Sequence, residues 1–581
     1  MNRASSPNPY LTSISPRSLF QKFRENGALA LFQALRTRDK VVVAFLSVVV
    51  AGAVFYWIGA IYVSSTEVVA DRGGRYIEGV IGQPRYVNPV LSLANSADED
   101  LVHAVYSGLL RYDADGRVRN DLAERVDVSG DGKEYTVTIR EGAKWHDGID
   151  VSADDVAFTV GLIKNPAYKS PLQKNWQGVD AELVDNRTVR FILKKAYFGF
   201  PEHLTVGILP KHVWESVPPE GFALADPNIA PVGSGPYRFF DYQKDSNGNI
   251  LSYELRAFPE YFDGEANITK LVFNFYPDEE SLSDAFSKKE IMGMASVSLE
   301  RTAELSGRKG TAIHEFSLPR IFAVFFNPVK SVPLAYPEVR EALSKATDRD
   351  ALVREALLGK GMAAPLPFLP FMEGNPDIPD MSYDVDAANR ILDEKGWARG
   401  EDGIRSKGGT ALAFQLAVPA WLELEKTADV IKAQWERIGA RVEVKASPLS
   451  ELNQDVIRPR NYDAVLYGEE MRINPDFYSF WHSSEKGETG FNLAMFADDD
   501  ADETLLALRE ESDPDRRREL LGTFLRILSE KYPAVFLYSP DASYVMDDSV
   551  KGFDIRSANN ASCRLSDLSH WYIETKRIRK K

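Results

Sequence analysis

The chain has a single cysteine, Cys563, and only seven histidines in 581 residues. One cysteine excludes an internal disulfide framework, and His103, His146, His203, His212, His314, His482 and His570 are scattered without the spacing of a zinc site. Catalytic signatures are equally scarce. Gly233-Ser234-Gly235 lacks the third glycine and downstream acid of a dinucleotide fingerprint, and Gly359-Lys360-Gly361 lacks P-loop spacing, so both read as turns. Trp145-His146-Asp147-Gly148 sets an imidazole beside a carboxylate, the pairing a general base needs. No serine or cysteine elbow accompanies it, and a structural histidine is expected. No enzyme, metal site or cofactor is read from this sequence. Basic charge is short as well: 69 Lys and Arg against 85 Asp and Glu leave −16. That argues against a nucleic-acid partner, since neutralising phosphates takes clustered Lys and Arg.

Apolar residues, by contrast, make up 44% of the chain, and its length exceeds what one core normally organises, so at least two lobes are expected. One run stands apart. Residues 41–63, VVVAFLSVVVAGAVFYWIGAIYV, hold no charge, and at 1.5 Å per residue they cross a ~30 Å hydrocarbon layer. Before them come Arg3, Arg17, Lys22, Arg24, Arg36, Arg38 and Lys40 against Glu25 and Asp39. The positive-inside rule therefore puts the N-terminus in the cytoplasm, with an acidic body of net −21 outside. A cleaved signal peptide is the rival reading, since Val68-Val69-Ala70 has the small residues a peptidase needs. The apolar run and its 40-residue arm are long for that role. No cysteine follows closely enough for lipid attachment. Within the arm, Phe20, Phe23, Leu31 and Leu35 recur at roughly helical spacing beside Arg24, Arg36 and Arg38, which suits either an amphipathic segment on anionic lipid or a disordered basic arm.

Beyond the run, strand-like and helical stretches alternate without a repeat, giving an α/β reading. Tyr135-Thr136-Val137-Thr138-Ile139 alternates as a half-buried strand, and Val189-Arg190-Phe191-Ile192-Leu193 is another. Ser129-Gly130-Asp131-Gly132 supplies a hairpin turn in which the glycines permit positive φ. Asp384 opens a helix stopped by Gly396, Leu422 to Ile438 forms another before the strand Ala440 to Val444, and Asp513-Pro514 starts a third, ending before the buried strand Ala534 to Tyr538.

Several segments carry a resemblance. Tyr86-Val87-Asn88-Pro89 and Tyr106-Ser107-Gly108-Leu109-Leu110 come first. Leu122-Ala123-Glu124, the Ser129 to Gly132 turn, Trp145 to Gly148 and Ser152-Ala153-Asp154-Asp155-Val156 follow. Gly233-Ser234-Gly235-Pro236-Tyr237, Pro259 to Gly264, Phe326-Asn327-Pro328 and Ala346-Thr347-Asp348-Arg349 complete the order. Together they resemble the large extracellular solute-binding family that serves peptide and nickel ABC importers, from about Arg75 to Tyr572. The resemblance implies a two-lobed periplasmic-binding-protein-like (type II) α/β fold with a hinge, which captures a peptide or peptide-like solute and delivers it to ABC permease subunits with associated ATPases. A membrane-tethered ligand sensor on the same fold, or a binder of a non-peptide solute, is the alternative. The expected layout is a cytoplasmic basic arm (1–40), a transmembrane helix (41–63), a stalk (64–75), lobe I (76–320), lobe II (321–534), a closing segment of lobe I (535–575) and a solvated basic tail (576–581). Crossings between lobes are expected near Leu318 to Phe325 and Pro533 to Ser539.

Peptide-binding relatives hold the α-amino group with an aspartate shortly after a Gly-Trp turn. The matching stretch here, Tyr467-Gly468-Glu469-Glu470-Met471-Arg472, has Glu469 at the Trp position and Met471 or Arg472 where the aspartate falls. Glu469 or Glu470 pairing with an ammonium group, and Arg472 holding a carboxylate through its forked donors, are the readings that follow, beside the plain one of solvated loop charges. By motif position, Asn88, Tyr106, Trp145, Tyr237, Asn327 and Trp481 are candidate cleft-wall residues, with packing as the competing role.

Overall fold

The computed structural model describes residues 36–580, apart from 93, 94 and 296. It forms two units, one reaching to Ala70 and resuming at Thr575, the other running from Asp71 to Glu574. The amphipathic arm lies outside the described residues.

In the smaller unit the apolar run is a helix, Thr37–Ser65, exposed along its length. It is longer than the charge-free stretch because Thr37 to Lys40 and the two serines continue its turns. At 1.5 Å per residue it spans ~43 Å, and it is the one helix among the described residues long and apolar enough to cross a membrane. The expected stalk and tail are not independent. The strand Thr66–Ala70 pairs antiparallel with the C-terminal strand Thr575–Arg579, Thr66 facing Arg579 and Ala70 facing Thr575. Partners so far apart in sequence leave no local signal of such pairing.

In the larger unit, the first lobe starts with β1 (Arg75–Ile81), which lies parallel to β2 (Lys270–Tyr276). Two antiparallel strands, Ile250–Ala257 and Tyr237–Lys244, extend that sheet. A separate four-stranded antiparallel sheet contains the expected hairpin, Ala123–Val128 against Glu134–Ile139, followed by Thr188–Leu193 and Val179–Leu183. Gly132 in its turn takes φ +68, and Gly130 stays in the ordinary region. The helix Ala153–Lys164 starts from a capping box in which the Asp155 carboxylate accepts the Ser152 N–H at 2.9 Å. Asp155 also accepts the Lys211 N–H at 2.8 Å, so fold-forming chemistry accounts for this motif.

The second lobe is built on β3 (Arg320–Phe326), β4 (Ala413–Pro419), β5 (Arg441–Ser447) and β6 (Ala464–Glu470). β4 is parallel to β5 and β6, and β3 is antiparallel to β6. Along β3, Ile321, Ala323 and Phe325 enter one core and Phe322, Val324 and Phe326 the other. A strand buried on both faces explains why this run reads as uninterrupted apolar sequence. The expected helices flank it: Val385–Glu394 with Asp384 capping Ala387 N–H, Leu422–Glu436, and Pro514–Lys531 capped by Asp513.

One strand of 14 residues, β7 (Ala534–Asp547), serves both lobes. Its start pairs with β3, and its end pairs with Thr311–Ser317 of the first lobe. Phe536 and Tyr538 belong to the second lobe's cores, while Tyr544 and Met546 belong to the first lobe's. The crossings therefore fall at 317–320 and 539–541, where Ser539 Oγ donates to the Leu318 carbonyl at 3.2 Å. The second lies a few residues beyond the expected 533–539, because the apolar run that suggested it is already core.

Candidate ligand cleft

The cleft between the lobes of the larger unit is organised from the first lobe by the aromatic segment Tyr197 to His203. Phe200 packs on Tyr135, Phe191 and Trp176 at centroid distances of 4.8, 5.6 and 6.1 Å. This fixes the short helix Phe200–His203 and presents Glu202 and His203 toward the second lobe. From that lobe, β6 ends at Glu470, and the following Met471 and Arg472 enter the cleft.

Arg472 meets Glu202 with an N–O distance of 2.8 Å, and the Asn474 backbone also donates to Glu202. Burial pushes the Glu202 carboxyl up to about 7, against the pull of Arg472. Burial alone would lower the Arg472 pKa, but Tyr112 and Glu202 outweigh it and raise it. Beside them His203 is driven down to about 3, by burial first and the Arg472 charge second, so it stands neutral. The pair separates two cavities, of about 840 Å³ and about 570 Å³. Both are within the size range of small-molecule sites. Glu202, His203, Glu470 and Arg472 line both.

The larger cavity is bounded by Lys174, Tyr197, Tyr478 and the Arg509–Asp476 pair, whose guanidinium also lies 3.9 Å over the Tyr478 ring. The smaller one is flanked by Glu99, Arg320 and Glu470. Glu470 and Arg320 pair at 2.9 Å. Burial, with Asp100 and Glu470 nearby, raises Glu99 to about 7.

Of the residues singled out in sequence, Glu470 and Arg472 both line the cleft, and Tyr106, largely buried, lines the smaller cavity. The others are packed inside the lobes. Asn88 donates to Asn228 at 3.0 Å and accepts the Val90 N–H. The Tyr237 hydroxyl donates to the Ile268 carbonyl, and Asn327 donates to the Arg460 carbonyl, each at 3.0 Å. Trp145 and Trp481 are fully buried, Trp481 against Phe325 and Phe536. Glu469 turns inward on the face of β6 that carries Val465, and burial raises its carboxyl to about 8. His146 is neutral and structural: its Nε2 lies 3.0 Å from the Gly235 carbonyl, and its Nδ1 accepts the Gly233 N–H.

Sequence reading missed Glu202, Glu99 and Arg320. A carboxylate inside Tyr197-Phe198-Gly199-Phe200-Pro201-Glu202-His203 is an unexplained charge in an aromatic run, which is the signal that existed for Glu202. Glu99 is hidden among Asp98 and Asp100, and Arg320 sits at a strand edge like any solvated base.

The model for bacterial extracellular solute-binding proteins, family 5, middle region, matches residues 117–491. The oligopeptide-binding protein AppA of Bacillus subtilis is 26% identical over 515 residues, covering 87% of this chain and 92% of that protein. Its structure in complex with a nonapeptide superposes with a TM-score of 0.67, covering 87% of this chain and all of that one. The structure of NikZ from Campylobacter jejuni with Ni(L-His), 24% identical, shares the fold with a TM-score of 0.71 and covers 86% and 99%. With a two-lobed body, a double crossing and a cleft between the lobes, the chain belongs to the bacterial extracellular solute-binding proteins, family 5.

Proposed function

We propose that this chain is the membrane-tethered binding component of an ABC importer, taking a peptide or peptide-like solute between its lobes and passing it to permease subunits with associated ATPases. The carrying observation is the Glu202–Arg472 pair between two cavities, with Glu470 lining both, Glu99 lining the smaller, and a guanidinium within the pair. A free peptide has an ammonium group at one end and a carboxylate at the other. Glu470, with Glu99 near it, is placed to take the first, and Arg472 to take the second by exchanging Glu202 for the ligand's carboxylate. Similarity to an oligopeptide-binding protein supports the peptide class, while the fold-level likeness to a Ni(L-His) complex makes a small chelate the competing solute.

Calorimetry on a peptide and on its acetylated and amidated forms tests this. Hydrogen bonds to charged groups are worth ~1.5–3 kcal/mol. Glu470→Ala should therefore weaken binding by about 10- to 100-fold and make acetylation inconsequential, with Arg472→Ala and amidation forming the matching pair. Unchanged affinity in both variants removes this loop as the anchor.

The basic residues before the helix and the acidic body after it support a single pass with the N-terminus cytoplasmic. Protease added to spheroplasts should then digest the body and leave the helix with its N-terminal arm in the membrane. Release of the whole body without protease would instead mean that the helix is a cleaved signal.

A further inference from the structure

The smaller unit ends the membrane helix in a basic two-stranded ribbon. Glu67 is the one acid in residues 64–70 and 575–581, against Lys576, Arg577, Arg579, Lys580 and Lys581, a net +4. With the +5 of residues 1–40 set aside, the body 71–574 carries −25. After the helix, the ribbon is thus net positive and the body net negative.

The register fixes which bases lie nearest the helix. Arg579 faces Thr66, the first residue after the helix, and Arg577 faces Val68 on the same side of the ribbon. The Lys580 N–H bonds to the Ser65 carbonyl at 2.9 Å, so the ribbon is fastened to the last helical turn. Arg577 donates to Thr66 Oγ1 at 3.1 Å, and its guanidinium lies 6.0 Å from the Tyr62 ring. Tyr62 and Trp57 are exposed aromatics in the final turns, the side chains that favour the headgroup layer. Arg577 is therefore held beside Tyr62, where an anchored helix would meet the headgroups. Every residue of the C-terminal strand is exposed, and an isolated two-stranded ribbon is marginal in water.

We propose that this ribbon docks on anionic phospholipid headgroups of the extracytoplasmic leaflet, with Arg577 and Arg579 gripping phosphates through their forked donors. The inference rests on the reading of the helix as an anchor. Docking would fix the start of the tether at the surface, while the acidic body is repelled from the same lipid.

The test uses the full chain in nanodiscs of phosphatidylcholine, alone or mixed with phosphatidylglycerol, and follows amide hydrogen exchange. The expected result is exchange at 66–70 and 575–579 slowed by roughly tenfold in the anionic discs. Added salt and the Arg577→Gln/Arg579→Gln variant should abolish that slowing, with exchange in Lys270–Tyr276 of the body unchanged throughout. Equal ribbon exchange in both discs, with the chain inserted, overturns docking alone. Equal protection by inorganic phosphate in neutral discs overturns it in favour of a free-anion site. A chain that remains in neither disc refutes the anchor reading and this one with it.

Discussion

Glu469 falls where the family resemblance leads one to expect a tryptophan, and its chemistry here is that of a buried acid. It is 3% exposed, and neither carboxylate oxygen has a hydrogen-bond partner within bonding geometry. The Trp481 indole restrains the upward shift that burial causes, but it too stops short of such a bond. Because the folded pKa of about 8 lies above the ordinary 4.5, the folded chain holds a proton that the unfolded chain has released. The stabilisation is complete below pH ~4.5 and is lost as pH rises through ~8. Glu469→Gln keeps the shape and removes the ionisation. Denaturant melts at pH 5 and pH 9 should show the variant more stable than the parent by about 1–3 kcal/mol at pH 9 and close to it at pH 5. Parallel profiles for the two proteins would show that Glu469 is already ionised in the fold. The same burial logic raises Glu202, but there Arg472 answers it, and the difference between the two acids is a partner from the other lobe.

Elements with a local cause were legible in the sequence. The Asp384 and Asp513 caps, the Ser152–Asp155 capping box and the Ser129 to Gly132 turn each sit where residue type predicts, because caps and turns are decided by hydrogen bonds within a few residues. The start of β7 was equally plain, being apolar on both faces, whereas the run that forms β3 was read only as a crossing between lobes. What escaped was pairing at a distance. The ribbon of Thr66–Ala70 with Thr575–Arg579 and the lobe change inside the continuous strand β7 leave no mark on local periodicity. The cleft shows the same division. Glu470 and Arg472 were found because they interrupt a family pattern, and Glu202 was not, because its meaning depends on a residue 270 positions away. Trp145, Tyr237 and Asn327 were drawn in by motif position, yet a motif that builds a fold repeats as faithfully as one that binds a ligand.

At the scale of the whole molecule, closure is set by which inter-lobe contacts can resist opening about the crossings at 317–320 and 539–541. Those beside the cleft include Glu202 with both Arg472 and the Asn474 backbone N–H, the Arg517 guanidinium 3.7 Å over the Phe198 ring, the Ile473 N–H to Asn559 Oδ1 at 2.8 Å, the Phe198 N–H to the Arg509 carbonyl at 3.1 Å, and Lys195 with Glu510 at 3.4 Å. The last is an exposed pair, 77% and 51% accessible, and such pairs are worth ~0–1 kcal/mol. Glu202 is different: its side chain is 6% accessible, although that of Arg472 keeps 43%, so the pair falls short of a fully buried one and ~1.5–3 kcal/mol is the appropriate scale. Glu202→Ala should therefore shift the lobes toward the open arrangement by about 10- to 100-fold. Small-angle scattering should show a larger radius of gyration for this variant than for the parent, with an unchanged circular dichroism spectrum. Lys195→Ala should scatter like the parent. A ligand that brings its own carboxylate to Arg472 should close the Glu202→Ala lobes again, and an amidated ligand should not. If Glu202→Ala left the scattering curve unaltered, closure would have to rest on the other inter-lobe contacts, those of Phe198 and Ile473 among them. The pair would then govern which solute enters the cleft rather than whether the lobes shut.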